Sequence, residues 1–356
     1  MSNSVELELK ELLSSVEANN ASDLHLATGR PPILRIDGKL VAVDKPSLTE
    51  EHCNELVLTL LTDEQKERFS REKELDFSYN FEGKARFRAN VFYERGRAAV
   101  ALRLIPSKIR NFEELNLPLV LKEFTKPSQG FVLVTGPTGH GKTTTLAAMV
   151  NEINNTRKEH IVIIEDPIEY IFTHNQSLVQ QRELHQDTLS FHRALRSILR
   201  EDPNVVLIGE MRDLETIRSA LTIAETGHLV FATLHTNSAS QTVDRIIDVF
   251  PPHQQNQVRA QLAMSLTGVI SQRLVSRIPE GRIVACEIMV VNVAVRNLIR
   301  EGKNHQLESI IQTSAEEGMI SLDKSLAELV QKGEITKEDA LIYSIDPTVL
   351  ESLIQE

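Results

Sequence analysis

The chain has 356 residues, 41% hydrophobic and 25% charged, with a formal net charge of −11. That length suits two domains of ordinary globular composition and excludes a disordered or fibrous chain, and the acidic balance argues against a protein built mainly to coat a polyanion. No apolar run reaches bilayer-spanning length, and Cys53 and Cys286 form neither a C-x-x-C pair nor a disulfide framework, so both read as small buried apolar residues.

The first twenty residues, MSNSVELELKELLSSVEANN, have helical apolar spacing and carry acids where a signal peptide would be basic, so a cytoplasmic location is expected. Short alternating segments follow (PPILRIDGKLVAV, LDFSYNF, ARFRANVFY, AAVALRLI), and with the helix they predict a small α+β domain over 1–105. Its end is basic: Lys84, Arg86, Arg88, Arg95, Arg97, Arg103, Lys108 and Arg110 stand against one acid, Glu94. Arg86 and Arg88 alternate on one strand face, with Phe87 and Phe92 nearby. The strip reads as a solvated sheet face, as a nucleic-acid surface, or as a source of arginines for phosphates held by a neighbouring subunit. The last reading is favoured because the phosphate-binding segment described next contains no arginine.

Pro106 and Pro118 flank a polar linker, 106–118, and the second domain is expected over 119–356. There apolar runs alternate with helical segments, the pattern of a parallel sheet with helices on both faces, and the last seventy or so residues read as mostly helical. Phe131 to Thr135 (FVLVT) predicts a buried strand and Thr144 to Ile153 a helix. Between them Gly136-Pro137-Thr138-Gly139-His140-Gly141-Lys142-Thr143 fits G-x-x-x-x-G-K-[ST], a cradle for a nucleoside triphosphate. The glycines let backbone N–H groups crowd around phosphate oxygens, and the helix start adds its unpaired N–H groups and positive dipole end. Lys142 is expected to reach the β- and γ-phosphates and the Thr143 hydroxyl to bind Mg²⁺; the nucleotide contacts are expected over Gly136 to Thr144.

Polar residues recur directly after apolar runs. Glu165-Asp166-Pro167-Ile168-Glu169 follows HIVII, Gly209-Glu210 follows VVLI, and Thr233 to His235 follows LVFA. In an open parallel sheet such strand ends line one crevice, and the residue types suit phosphoryl transfer to water. The VVLI strand is expected beside the strand of the phosphate loop, placing Glu210 to hold Mg²⁺ through a water. Glu169 or Glu165 could orient the attacking water, and Asp166-Pro167 suggests a turn that stops the strand. His228 and His235 bracket a run spanning roughly 23 Å when extended, too far apart to share one ion. His235 is the better placed to contact a γ-phosphate, while His228 reads equally as a structural histidine. For His140 the choice lies between tuning phosphate affinity or pH response and a solvent-facing loop position without effect, the latter favoured.

These residues resemble the secretion ATPase superfamily, and within it the type IV pilus retraction branch, over nearly the whole chain. The matching segments are Ala21-Ser22-Asp23-Leu24-His25-Leu26, the phosphate loop, Ile164 to Tyr170, Ile208-Gly209-Glu210-Met211-Arg212-Asp213, Glu225-Thr226-Gly227-His228, and Thr233-Leu234-His235-Thr236. The Gly209-Glu210 ending departs from the acidic pair of many P-loop enzymes but is similar to this family's own form. The resemblance implies a PAS-like first domain and a RecA-like second domain in a homo-hexameric, Mg²⁺-dependent ATPase that disassembles pilin and drives twitching motility. It implies a magnesium-side role for Glu210, a water-activating role for Glu169, and first-domain arginines such as Arg86 and Arg88, with Arg245, near the nucleotide. The implied partners are an inner-membrane platform protein and paralogous pilus ATPases; no nucleic acid is expected, and the membrane is reached only through partners, at the cytoplasmic face of the pilus base.

Two features separate retraction from assembly ATPases. Assembly members carry a tetracysteine zinc motif and a longer N-terminal region, and Ala294-Val295-Arg296-Asn297-Leu298-Ile299-Arg300-Glu301 is similar to the retraction signature AIRNLIRE. On a helix, Arg296 and Arg300 share one face while Val295, Leu298 and Ile299 form an apolar one, which also describes a plain amphipathic surface helix. Two rival functions remain. A DNA-translocating RecA-like ATPase is suggested by the basic strip and opposed by the acidic balance. A nucleotide-binding accessory paralogue of a pilus motor is opposed by the intact Lys142, Glu169 and Glu210.

Overall fold

The computed structural model describes residues 2–36, 38–83, 85–105 and 108–355, so Lys84 of the basic strip and Pro106 and Ser107 of the expected linker lie outside the described residues. The chain divides into two compact units, Met1–Lys108 with Pro167–Ile171, and Ile109–Asp166 with Phe172–Glu356.

In the first unit, helix α1 (Ser2–Ala18) turns Val5, Leu9, Leu12, Leu13 and Val16 inward at three- and four-residue spacing. After it come β1 (Asp23–Leu26), β2 (Ile33–Ile36), β3 (Lys39–Ala42), α2 (Glu50–Thr59), α3 (Asp63–Glu72), β4 (Glu74–Phe81), β5 (Ala85–Glu94) and β6 (Arg97–Ile105). Among the described residues the strands form an antiparallel sheet in the order β3-β2-β1-β6-β5-β4. Helix α3 starts on a capping box, with Thr62 accepting from the Gln65 N–H and the Gln65 side chain accepting from the Thr62 N–H. Along β5, Ala85, Phe87, Ala89 and Val91 are buried while Arg86 and Arg88 lie half-buried on the other face, the two-residue period of a strand covered on one side.

Several arginines of the basic strip pair within this unit: Arg103 Nε is 2.8 Å from Asp23 Oδ1, Arg97 Nε 3.1 Å from Glu50 and Arg88 Nε 4.0 Å from Asp76. Asp23 is buried and also accepts from the Ser22 hydroxyl at 2.7 Å. Burial alone would raise its carboxyl, but the Ser22 and Arg103 bonds outweigh burial and hold it below the usual carboxylate range.

The second unit contains β7 (Gly130–Thr135), α4 (Lys142–Thr156), β8 (His160–Glu165), β9 (Leu178–Glu183), α5 (Phe191–Ile198), β10 (Val205–Ile208), α6 (Leu214–Glu225), β11 (Leu229–Leu234), α7 (Ala239–Asp248), α8 (Pro252–Ser265), β12 (Leu266–Ser276) and β13 (Arg282–Val290). Helices α9 (Val293–Glu301), α10 (Leu307–Thr313), α11 (Leu322–Gln331), α12 (Lys337–Tyr343) and α13 (Pro347–Gln355) complete it. Among the described residues its strands form a sheet in the order β13-β12-β7-β11-β10-β8-β9, parallel except for the antiparallel β12–β13 pair. The chain is therefore α/β, with a mainly parallel sheet following an antiparallel one.

Strands β7, β10 and β11 are buried at every position, which is why they read as unbroken apolar runs rather than alternating ones. The expectation that the VVLI strand lies beside the strand of the phosphate loop is corrected: β11 stands between β10 and β7. Strands β7, β10 and β11 are all buried along their length, so pattern alone could not say which of the three lies in the middle. At the far edge, Val275, Ile283 and Ala285 of the β12–β13 pair share a core with Leu322, Leu326, Ala340 and Leu350 of the last helices. In α9, Val295 and Ile299 are fully buried while Arg296 and Arg300 are exposed.

Candidate functional site

The phosphate loop leaves β7 at Thr135 and enters α4 at Lys142. Gly136, Gly139 and Gly141 have φ of +139°, +81° and +80°, conformations that L side chains rarely adopt, so the loop's curvature depends on glycine at these points. Two of them are also places of close approach. A Cβ on Gly136 would stand 2.4 Å from the Gln272 carbonyl oxygen, and one on Gly141 3.3 Å from the Gln272 amide nitrogen. Gly141 is the N-cap of α4 and gives it no side-chain cap.

The Lys142 amine is buried and donates to the carbonyls of Gly136 and Pro137 at 2.8 and 2.9 Å. It also lies 3.5 Å from His235 Nδ1, and the Thr138 hydroxyl is 3.4 Å from the same nitrogen. The other face of that ring meets Glu210, with Nε2 3.0 Å from Oε1, and Glu210 Oε2 accepts from Arg212 Nη2 at 2.8 Å. Burial would raise the Glu210 carboxyl, but Arg212 and then His235 outweigh it and hold Glu210 below its ordinary value, ionised at neutral pH. Asp166 adds its negative field to Arg212. Lys142, Thr138, His235, Glu210 and Arg212 thus form one connected cluster at the ends of β7, β11 and β10, although β10 is not adjacent to β7.

The turns behind the cluster are pinned. The Thr233 hydroxyl donates to the Gly209 carbonyl, the Met211 N–H to the Thr233 carbonyl at 3.2 Å, and the Gly209 N–H to the Ile164 carbonyl at 2.8 Å. Gly209 is a place of close approach, since a Cβ there would stand 3.2 Å from Cγ of the buried Glu165, which would have to give by a few tenths of an ångström. His228 lies at the opposite end of β11, where Nδ1 donates to the Ile223 carbonyl at 2.9 Å and closes the C-terminal end of α6.

Other sequence-predicted residues fall elsewhere. Glu169 lies in Pro167–Ile171, which clusters with the first unit, and Arg86 and Arg88 are on β5 of that unit. Arg245 is exposed in the last turn of α7. Thr143 and Thr144 are half-buried in the first turn of α4. The favoured solvent-facing position for His140 is corrected. Its Nδ1 accepts from the Leu274 N–H at 3.0 Å and its ring meets Tyr343 edge-on at 5.9 Å, because the loop is folded against β12. Burial first, then the cations Arg273, Lys142 and Arg282, lower its pKa. Its Nδ1 is thus the unprotonated, accepting nitrogen.

Two contributors escaped sequence reasoning. Arg212 lay inside the segment Ile208 to Asp213 without a role, although a cation two residues from the Glu210 carboxylate was a usable signal. Gln272 was marked only by the polar run Ser271-Gln272-Arg273 inside an otherwise apolar stretch, a placement that implies a buried polar task.

Residues 2–342 match the Type II/IV secretion system protein family. The chain belongs to that family. Among its members, the type IV pilus retraction ATPase PilT of Pseudomonas aeruginosa is 50% identical over 334 residues, 94% of this chain and 97% of that protein. The type IV pilus ATPase PilU of the same organism is 39% identical over 351 residues, 98% of this chain and 92% of its own. A crystal structure of the pilus retraction motor PilT with bound ADP superposes with a TM-score of 0.91 at 47% identity, covering 96% of this chain and 98% of that one. The family fold extends to the ATPase DotB of Legionella pneumophila, with a TM-score of 0.79 at 26% identity over 94% of this chain and 95% of that one.

Proposed function

We propose that this chain is an ATPase motor that powers type IV pilus retraction, disassembling pilin and driving twitching motility. The observation that carries the reading is the connected cluster of the phosphate loop, Lys142, His235 and Glu210 in a chain half identical to a pilus retraction ATPase over 94% of its length. The donor set fits a nucleoside triphosphate: a glycine loop held against a strand, a helix start without a side-chain cap, and an amine resting on the loop's own carbonyls.

When nucleotide binds, Lys142 exchanges the Gly136 and Pro137 carbonyls for phosphate oxygens, and His235 follows the γ-phosphate while tethered to Glu210. Mg²⁺, held by the Thr143 hydroxyl and by Glu210 through water, supplies neutralisation of charge on the phosphates. Glu169 orients and deprotonates the attacking water, and Arg86, Arg88 and Arg245 add positive charge at the nucleotide. Six copies form a ring at the cytoplasmic face of the inner membrane, where a platform protein at the pilus base receives the motion. Each subunit pairs a PAS-like domain over 1–105 with a RecA-like domain over 119–356.

Steady-state Mg²⁺-ATP turnover of the purified oligomer tests the reading. Lys142→Ala, with assembly retained, is expected to lose at least about a hundred-fold, as is the double variant Glu169→Gln, Glu210→Gln. Normal turnover in either would overturn it.

A further inference from the structure

Strand β12 lies beside β7, and the side chain of its Gln272 is fully buried against the phosphate loop. The amide bridges two parts of the nucleotide motif: Nε2 donates to the His140 carbonyl at 2.6 Å, and Oε1 accepts from the Thr145 hydroxyl of α4 at 2.9 Å. The Leu274 N–H donates to His140 Nδ1 at 3.0 Å. Both glycines that bound the loop leave space which a side chain would take from Gln272.

We propose that Gln272 is a positioning residue for nucleotide binding, a lock through which β12 holds the phosphate loop in its phosphate-accepting conformation. The inference rests on the reading of this loop as a nucleotide site. A trans peptide carries its C=O and N–H in opposite directions, so pinning the His140 carbonyl to Gln272 turns the Gly141 N–H away from β12. The His140 carbonyl, which can only accept, fixes which end of the amide faces the loop, because the reversed amide would set its oxygen against that carbonyl oxygen, and the Thr145 hydroxyl holds the other end by donating to Oε1. Without the lock the peptide rotates more freely between orientations, and nucleotide must select the one that presents its N–H. The loss falls on affinity, by the fraction of loops no longer competent.

The test is equilibrium binding of a fluorescent ADP analogue with Mg²⁺ to the full-length oligomer, alongside steady-state ATP kinetics and thermal unfolding. Gln272→Leu keeps the bulk and removes both bonds; it is expected to weaken ADP about tenfold and raise KM for ATP similarly, with kcat within about threefold of the parent. A merely structural role would lower the unfolding midpoint and the active fraction, and hence kcat, without raising KM. Thr145→Val frees one end of the amide and is expected to weaken ADP about threefold, while Thr145→Ser restores parental affinity. ADP affinities of Gln272→Leu and Thr145→Val both within twofold of the parent would overturn the proposal. Should Gln272→Leu not assemble, equal affinities of Thr145→Val and Thr145→Ser would do so alone. A parent protein that binds no ADP, or a Lys142→Ala variant that binds as tightly as the parent, would instead sink the nucleotide-site reading and the lock with it.

Discussion

Glu287 shows how one buried carboxylate ties the edge of the sheet to the site. It is 4% exposed on β13 and accepts from the Ala239 N–H at 2.6 Å, closing the start of α7, the helix that follows His235. Burial pushes its pKa to about 7; Glu308 and Asp323 add to the rise, while the Ala239 N–H and Arg273 oppose it. A folded-state pKa above the unfolded value means that the native state holds the proton more tightly. The stabilisation is complete below about 4.5 and disappears as pH rises through about 7. Glu287→Gln keeps an acceptor for Ala239 and removes the charge. Its stability is expected to lack this pH-dependent loss and to exceed the parent's above pH 7, by at most roughly 3 kcal/mol. Denaturant titrations at pH 5 and pH 8 read the difference, and parallel stability curves for the two proteins would refute it.

At the scale of elements, β12 sets much of the architecture, and its packing is tight on both sides. Where Gln272 meets the phosphate loop, Gly268 meets the 3-10 turn Leu119–Thr125: a Cβ at 268 would stand 2.2 Å from Cε1 of the buried Phe124. Gly268→Ala is therefore expected to cost about 1–3 kcal/mol by overpacking, and Phe124→Leu in the same chain to recover part of it. Equal unfolding midpoints for the parent and Gly268→Ala would show that the ring moves aside freely.

This strand was also where the sequence was least legible. Strands β7, β8, β10 and β11 stood out because central parallel strands are apolar on both faces, and α4 because its spacing follows a glycine-rich turn. The polar Ser271, Gln272 and Arg273 broke the corresponding signal in β12, and those side chains are polar because they serve the loop and the turn after β11. The positions of Glu210 and His235 at the ends of their own strands could be read locally. A residue that acts from a neighbouring strand, such as Gln272, needed the sheet order, and that order depends on pairings between distant segments. The same non-locality hid the grouping of Pro167–Ile171, and with it Glu169, with the first unit.

At the scale of the whole molecule, the residues assigned to the chemistry are divided: the phosphate loop, Glu210 and His235 belong to the second unit, Arg86, Arg88 and Glu169 to the first. In a ring with head-to-tail interfaces, first-unit arginines can serve their own subunit or the next, and the two arrangements respond differently to mixing. A Lys142→Ala subunit keeps its arginines and loses its loop; an Arg86→Gln, Arg88→Gln subunit keeps its loop and loses its arginines. Rings of either variant alone are expected to be inactive. Co-expressed at equal levels with two affinity tags and purified through both, they should regain about a quarter of parental turnover if the arginines act across the interface, since a site is complete only where the intact loop of the arginine variant faces the intact arginines of a Lys142→Ala subunit. If the arginines serve their own subunit, no site in the mixture is complete and the mixed rings stay as inactive as their parents. Full activity of the arginine variant alone would remove Arg86 and Arg88 from the chemistry and return the strip to the solvated sheet face that its ion pairs with Asp23, Glu50 and Asp76 already describe in part.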